Sequence, residues 1–532
     1  MTSFRRTTRP SAGGAPERSW GRSSVVRATL LAAVAGGLTI AAGTVKGTVE
    51  VARPSERAGV SQTSDVLIES ASLVCPGQQR VGTEGMRDVP GTVQVASAGA
   101  PDAVLRAISD TTGTGAAGGR DAAGGRDAAG RVSLLDAEGA ELASTDRRSR
   151  PVATTTTGAA FVVARGQRGL APGLAAAQSW WHTRDDDRGL SVTPCVEPAA
   201  DVWLLGGGAG ASRTERVLVV NPGVNPVSVR VEVFGAEGRV GAADRASVSI
   251  PPQSRMSLSL DALAPDELRP AVHVVATGGV VSAVLNDAWI DGATARGVED
   301  ATAAAPPARD LVVPAVEAAA AGQGDTVLRI VNPGGAEALV RATVLTPEGA
   351  RQPTELRAVR VGADSTVDVP LSLAAGGNAL RLTSDRPVTA AVFVDRRQGP
   401  GQAAATDREG DFGWAPALPP IRAVGGVVIP AQVPQGATRT LHLAAGPAGG
   451  SVTVTLGAGT AERQVTAQLK PLTAVSVPLG DAERVWVTTG AVDIRAAVSV
   501  SLSQQGSPYF SIVPVHSAPT TATSVPVRQL TR

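Results

Sequence analysis

A short segment recurs along this chain, and the recurrence limits what it can fold into more than any other feature. Val217-Leu-Val-Val-Asn221-Pro222-Gly223 returns as Leu328-Arg-Ile-Val-Asn332-Pro333-Gly334. A degenerate copy reads Leu441-His-Leu-Ala-Ala445-Gly446, and a fainter one Val93-Gln-Val-Ala-Ser97-Ala98-Gly99. The turn glycines stand at 99, 223, 334 and 446, so the last two steps are 111 and 112 residues long. Self-similarity at a fixed period means one structural unit used several times. The first step is longer because it holds a tract in which Gly-Gly-Arg-Asp-Ala-Ala occurs twice, at Gly118 and Gly124. Glycine and alternating charge at that density cannot bury a core, so residues 113–131 read as an inserted loop.

Within each copy the hydrophobic period is two. Val227, Val229, Val231 and Val233 alternate with Ser228, Arg230 and Glu232, and Val452, Val454 and Leu456 with Ser451, Thr453 and Thr455. Such alternation of β-branched and polar residues makes half-buried strands. Asn-Pro-Gly at 221 and 332 and Pro-Glu-Gly at 347–349 punctuate them as turns. The copies also open alike, at Leu73-Val-Cys-Pro, Val202-Trp-Leu-Leu, Leu311-Val-Val-Pro and Val427-Val-Ile-Pro.

The expected fold is therefore all-β, with tandem immunoglobulin-like β-sandwich modules after an N-terminal apolar helix. The expected boundaries are a basic cytoplasmic n-region 1–27 and a signal or anchor helix 28–45, then sandwiches 65–198, 199–308, 309–422 and 423–517. A disordered tail, 518–532, closes the chain. Pro/Ala-rich segments 294–309 and 398–420 read as linkers. Independent modules on such linkers would form a rod.

The N-terminus bears on compartment. Arg5, Arg6, Arg9, Arg18, Arg22 and Arg27 precede an uncharged run from Ala28 to Val45. This is the pattern of a cleaved signal peptide or of a retained anchor, and both readings stay open. Either one places the rest of the chain outside the cytoplasm. Two cysteines in an exported chain point to one disulfide, Cys75–Cys195; the alternative is two buried, unpaired thiols.

Composition narrows the function classes. Lys and Arg number 49 against 48 acids, so there is no basic excess to hold nucleic acid. Two Cys and four His cannot build a zinc ribbon or a Cys/His cluster, and neither a metal nor a cofactor is expected. Gly206 to Ala211 fits G-x-G-x-x-A, but a strand and not a helix follows, so it reads as a connecting loop. Trp180 and Trp181 stand beside Asp185, Asp186 and Asp187 as candidate ligand contacts. The rings could stack on a sugar and the carboxylates could meet a cation, although the spacing is not that of a calcium loop. The plainer reading is a solvated loop beside a buried indole. His182, His273, His442 and His516 lie scattered, with no G-x-S-x-G or H-E-x-x-H, so no catalytic residue is assigned.

Four segments together resemble an uncharacterised family of actinobacterial exported or membrane-anchored envelope proteins, a domain of unknown function. They are Leu73-Val-Cys75-Pro76-Gly77, Arg188-Gly189-Leu190 leading to Pro194-Cys195, Asp201-Val-Trp203-Leu-Leu-Gly206-Gly207-Gly208, and Val219-Val-Asn221-Pro222-Gly223. The resemblance spans residues 65 to 515. It implies the cell envelope, hints at polysaccharide as a partner, and brings no activity or cofactor. The expected function is a non-enzymatic extracytoplasmic structural or interaction protein, held to the membrane by its N-terminal segment or secreted. Its partner is expected to be another envelope protein or a polysaccharide. Two alternatives are a glycan-binding sandwich protein using Trp180, Trp181 or Trp203, and a hydrolase working through a carboxylate pair.

Overall fold

The alternating segments form strands, and the described residues are all-β apart from short helices. The structure, a computed structural model, describes residues 64–77, 92–112, 130–148, 150–157, 160–183, 188–208, 213–241, 247–399, 407–490 and 492–524. The basic region 1–27, the apolar run 28–45 and most of the Gly-rich insert lie outside these residues. No helix among the described residues is long and apolar enough to cross a membrane. The helix Asp102–Thr112 had no counterpart in the strand reading; Val104 and Ile108, four residues apart, bury its inner side.

One sheet pattern occurs four times. The recurring Val-rich segment is the second of four successive antiparallel strands in every copy; these four strands form a separate sheet in the first two copies and part of an eight-stranded sheet in the third and fourth. In the first unit the order is Val152–Thr156, Val93–Ala98, Ala175–His182, Gly189–Pro194. In the second it is Ser254–Ser259, Arg213–Asn221, Ser282–Asp291, Thr294–Ala301. The third uses Ser365–Pro370, Thr326–Asn332, residues 389–397 and Gly410–Pro416. The fourth uses Ala474–Pro478, Thr438–Ala445, Ile494–Gln504 and Ser507–Ser517. A second set of strands in each unit holds its opening strand, for example Ser70–Cys75 or Val424–Val428. Apolar side chains of the two sets meet in one core per unit.

The repeated Asn-Pro-Gly motif has a direct physical role. Asn221 is fully buried; its amide donates to the carbonyls of Asn225, Ile250 and Pro251, and its Oδ1 accepts from the Gly223 N–H. Asn332 repeats this with Ala336, Val361, Gly362 and Gly334. One side chain thus satisfies backbone groups that the turn would otherwise leave orphaned.

The last of the four strands in each copy is the most informative element. These four strands, called axial below, pack against one another in a closed cycle. Each also reaches into the core of the preceding unit. Val298 of the second unit joins the first core, and Phe412 and Trp414 of the third join the second. Phe510 and Ile512 of the fourth join the third, and Leu190 and Val192 of the first join the fourth. The first and last described strands close the same circle, since Ser64–Leu67 pairs with Thr521–Ser524.

Three expectations are corrected by this arrangement. The described units form a closed ring within one compact body, and not a rod. The supposed linkers 294–309 and 398–420 contain the axial strands Thr294–Ala301 and Gly410–Pro416; small residues there permit close packing of strands at the axis. Thr521–Ser524, assigned to a disordered tail, is the closing strand. The disulfide Cys75–Cys195 is present and joins the opening strand of the first unit to the end of its axial strand. Hydrogen bonds between the Val74 and Val196 backbones lie beside it.

Candidate functional site

The polar centre of the ring is built by the axial strands. Ser191 Oγ donates to Glu299 Oε1 at 3.0 Å, and Thr193 Oγ1 to Asp300 Oδ2 at 2.8 Å, linking the first and second units. The Val192 N–H donates to Ser511 Oγ of the fourth unit. Asp411 touches all four units. Its Oδ2 accepts from the Leu190 N–H at 3.0 Å and the Phe510 N–H at 2.9 Å, and its Oδ1 accepts from the Phe412 N–H. The fourth neighbour is Gly297, at φ +119°, where a Cβ would lie 2.1 Å from Asp411 Oδ1. Only glycine fits that approach.

Arg188 caps this centre. Its guanidinium donates to the carbonyls of Gly410 and Pro508 and lies 4.4 Å from the Tyr509 ring centroid, tying the first unit to the third and fourth. Burial pushes the Asp411 carboxyl up to about 8, against the opposing pull of the three N–H donors and Arg188. Burial likewise holds Glu299 well above the usual carboxylate range, and its Oε2 has no hydrogen-bond partner.

Three outer joints follow one rule. In three of the four copies the second residue of the recurring segment meets the preceding unit. Gln94 Oε1 accepts from the Gln432 N–H, and Arg329 donates to the carbonyls of Gly206, Gly207 and Pro270. His442 lies between Ser476 and Ser499, with Glu317 of the third unit 3.5 Å from Nε2. A serine, a histidine and a glutamate in contact suggest nucleophilic chemistry. Yet His442 occupies the repeat position of Gln94 and Arg329, so its place in the sequence is that of a joint residue.

The Gly206–Gly208 stretch is part of such a joint. The Gly207 N–H donates to Asp287 Oδ2, which also accepts from Trp414 Nε1 and Arg213 Nη2. The Gly208 N–H donates to Glu215 Oε1. Burial and the nearby Asp287 charge push Glu215 up to about 7, with Arg213 opposing.

The candidate contact residues separate. Trp180 is 3 % exposed and packs in the same core as Cys75 and Cys195. Trp181 is half-buried, with its ring edge-on to Tyr509 at 6.2 Å. Trp203 is buried and stacked on His273 at 4.1 Å. Asp185, Asp186 and Asp187 lie outside the described residues. Among the described residues no cluster of three or more His, Cys, Asp or Glu could hold a metal.

A cavity of about 320 Å³ opens where the axial strands end, and residues from around the whole ring line it. Its walls include Pro194 and Cys195, Val202 and Ala303, Pro419 and Pro420, and His516 to Pro519. Burial pushes the His516 imidazole down to about 4, and its Nε2 has no hydrogen-bond partner. Sequence reasoning missed both the polar centre and this cavity. The signals were Val298-Glu299-Asp300-Ala301 and Gly410-Asp411-Phe412, acids set among small and apolar residues in segments read as linkers.

Comparison with known families adds one finding. A family of unknown function (DUF5719) matches residues 151–480, more than half of the chain. None of the curated proteins matches it.

Proposed function

The chain belongs to that family of unknown function, and we propose that it is a non-enzymatic structural or interaction protein of the actinobacterial cell envelope. The four units are read as immunoglobulin-like sandwiches, and the apolar segment 28–45 either retains the chain at the membrane or directs its secretion. One observation carries the proposal: among the axial polar groups, Asp411 and Arg188 join the first, third and fourth units, and Ser191 and Thr193 join the first to the second. Polar groups engaged in this way favour a rigid scaffold, which positions the surface loops of four units for contact with a protein or polysaccharide partner. The disulfide supports an oxidising compartment.

The test is crosslinking in intact cells of the native host, followed by fractionation and thiol labelling of the denatured, unreduced protein. The chain is expected in the envelope or secreted fraction, with both thiols blocked and an envelope component attached. Recovery in the cytosol with two reactive thiols would overturn the proposal.

A further inference from the structure

The axial cavity carries an inference that the scaffold reading does not need. We propose that it binds a small zwitterion with an apolar body, an amino acid or short peptide whose free amine meets Glu197 and whose free carboxylate meets Arg422.

The argument begins with charge. Three charged side chains line the cavity: Glu197, Asp201 and Arg422. Asp201 is engaged, since His273 Nε2 lies 2.9 Å from its Oδ2. Glu197 is exposed at the rim and has no hydrogen-bonded or ionic partner among the described residues; partial desolvation by the cavity wall raises its pKa. The Arg422 guanidinium has no such partner either; only its backbone N–H is fixed, by Ser517 Oγ at 2.9 Å. One carboxylate and one guanidinium thus border the same space without an ion pair between them. Both side chains are exposed, so a ligand carrying both charges would contact both, whereas a purely cationic or anionic one would contact only one.

The body of the ligand follows from the walls. Val202, Val281, Pro419 and Pro519 give the cavity an apolar surface. Its volume, about 320 Å³, lies at the low end for a small-molecule site. An aliphatic amino acid or a dipeptide suits that size, and a long chain does not.

The site is also held in place. Glu197 follows Cys195, which is in the disulfide, and Val196, which is hydrogen-bonded to Val74. Arg422 lies between Ile421, whose N–H donates to the Ile494 carbonyl, and Val424 in the opening strand of the fourth unit. The two charges are therefore carried on fixed backbone.

Titration calorimetry on the purified chain tests this, with leucine, leucyl-leucine, N-acetyl-leucine and leucinamide as probes. Leucine or leucyl-leucine should bind, and each capped form should bind about tenfold or more weakly, as expected for losing one charge-assisted hydrogen-bonded contact. Glu197→Gln should abolish discrimination against the acetylated form, and Arg422→Gln discrimination against the amide. Both positions are at the cavity rim, so the thermal midpoints of the variants should match the parent and show that they are folded. Failure of both free ligands to bind at millimolar concentration would overturn the proposal. So would capped forms that bind as tightly as the free ones. Neither result would touch the scaffold reading, which rests on the opposite part of the axis.

Discussion

Asp411→Leu is expected to destabilise the protein by about 3–5 kcal/mol, the range for removing one member of a buried polar network. Leucine would leave the N–H groups of Leu190, Phe510 and Phe412 without an acceptor, and these donors belong to three different units. It would also add bulk against Gly297, where there is no room for even a Cβ. Asp411→Asn keeps one carbonyl oxygen and the shape, so it should cost less, on the order of 1 kcal/mol.

The pH dependence provides a second readout of the same side chain. The folded pKa of Asp411 is raised to about 8, whereas an unfolded aspartate titrates near pH ~3.9. The folded state therefore binds more protons between those values. Its contribution to stability is full below the unfolded pKa and is lost as pH rises through about 8. Glu215, raised to about 7, and Glu299, raised well above its usual range, act in the same direction, while His516, lowered to about 4, opposes them only below about pH 6.5. Urea midpoints of the parent should fall from pH 5 to pH 9, and Asp411→Asn should flatten part of that slope. A midpoint that rises with pH would contradict the assignment.

Cutting the chain at 308 should leave neither half stably folded. Residues 309–524 would carry Phe412 and Trp414, whose partners Val202, Val217 and Leu285 lie in the missing half. The same fragment would lose Leu190 and Val192 from the core of its last unit. Emptying one buried Phe or Trp site costs about 3–5 kcal/mol. The cut opens two such joints and removes the closing pair Ser64–Leu67 with Thr521–Ser524. Whole-domain stability is only about 5–15 kcal/mol. The fragment is expected to aggregate or to unfold without a cooperative transition, followed by tryptophan fluorescence and sedimentation. A monomeric fragment with a sharp transition would refute the sharing of cores.

The contrast with the reading of 294–309 as a linker shows what sequence could and could not reveal. Period-two alternation located strands such as Val227–Gly235 and Gly450–Ala458, because one face of each meets a core and the other meets water. The repeat located the turns, because Asn221 and Asn332 perform the same local task. The disulfide followed from two cysteines and the expectation that the chain is exported. The axial strands were hidden because both of their faces are buried, so alternation fails and small residues imitate a linker. Asp411 was hidden for a related reason. Its partners are backbone N–H groups from distant segments, and backbone groups leave no residue-type signature. Trp180 and Trp181 attracted notice as large aromatics, and much of their surface is taken up by packing. The cavity needs ends of all four axial strands together, which only the closed ring provides.

The central claim is that four repeated units share their cores around one axis and behave as a single cooperative body. Native-state hydrogen exchange on the amides of Leu190, Val298, Phe412 and Phe510, one from each axial strand, tests it most directly. The account predicts one common opening free energy for all four amides, equal to that of global unfolding and lowered together by Asp411→Leu. Four distinct opening energies, with Asp411→Leu affecting Phe412 alone, would contradict it.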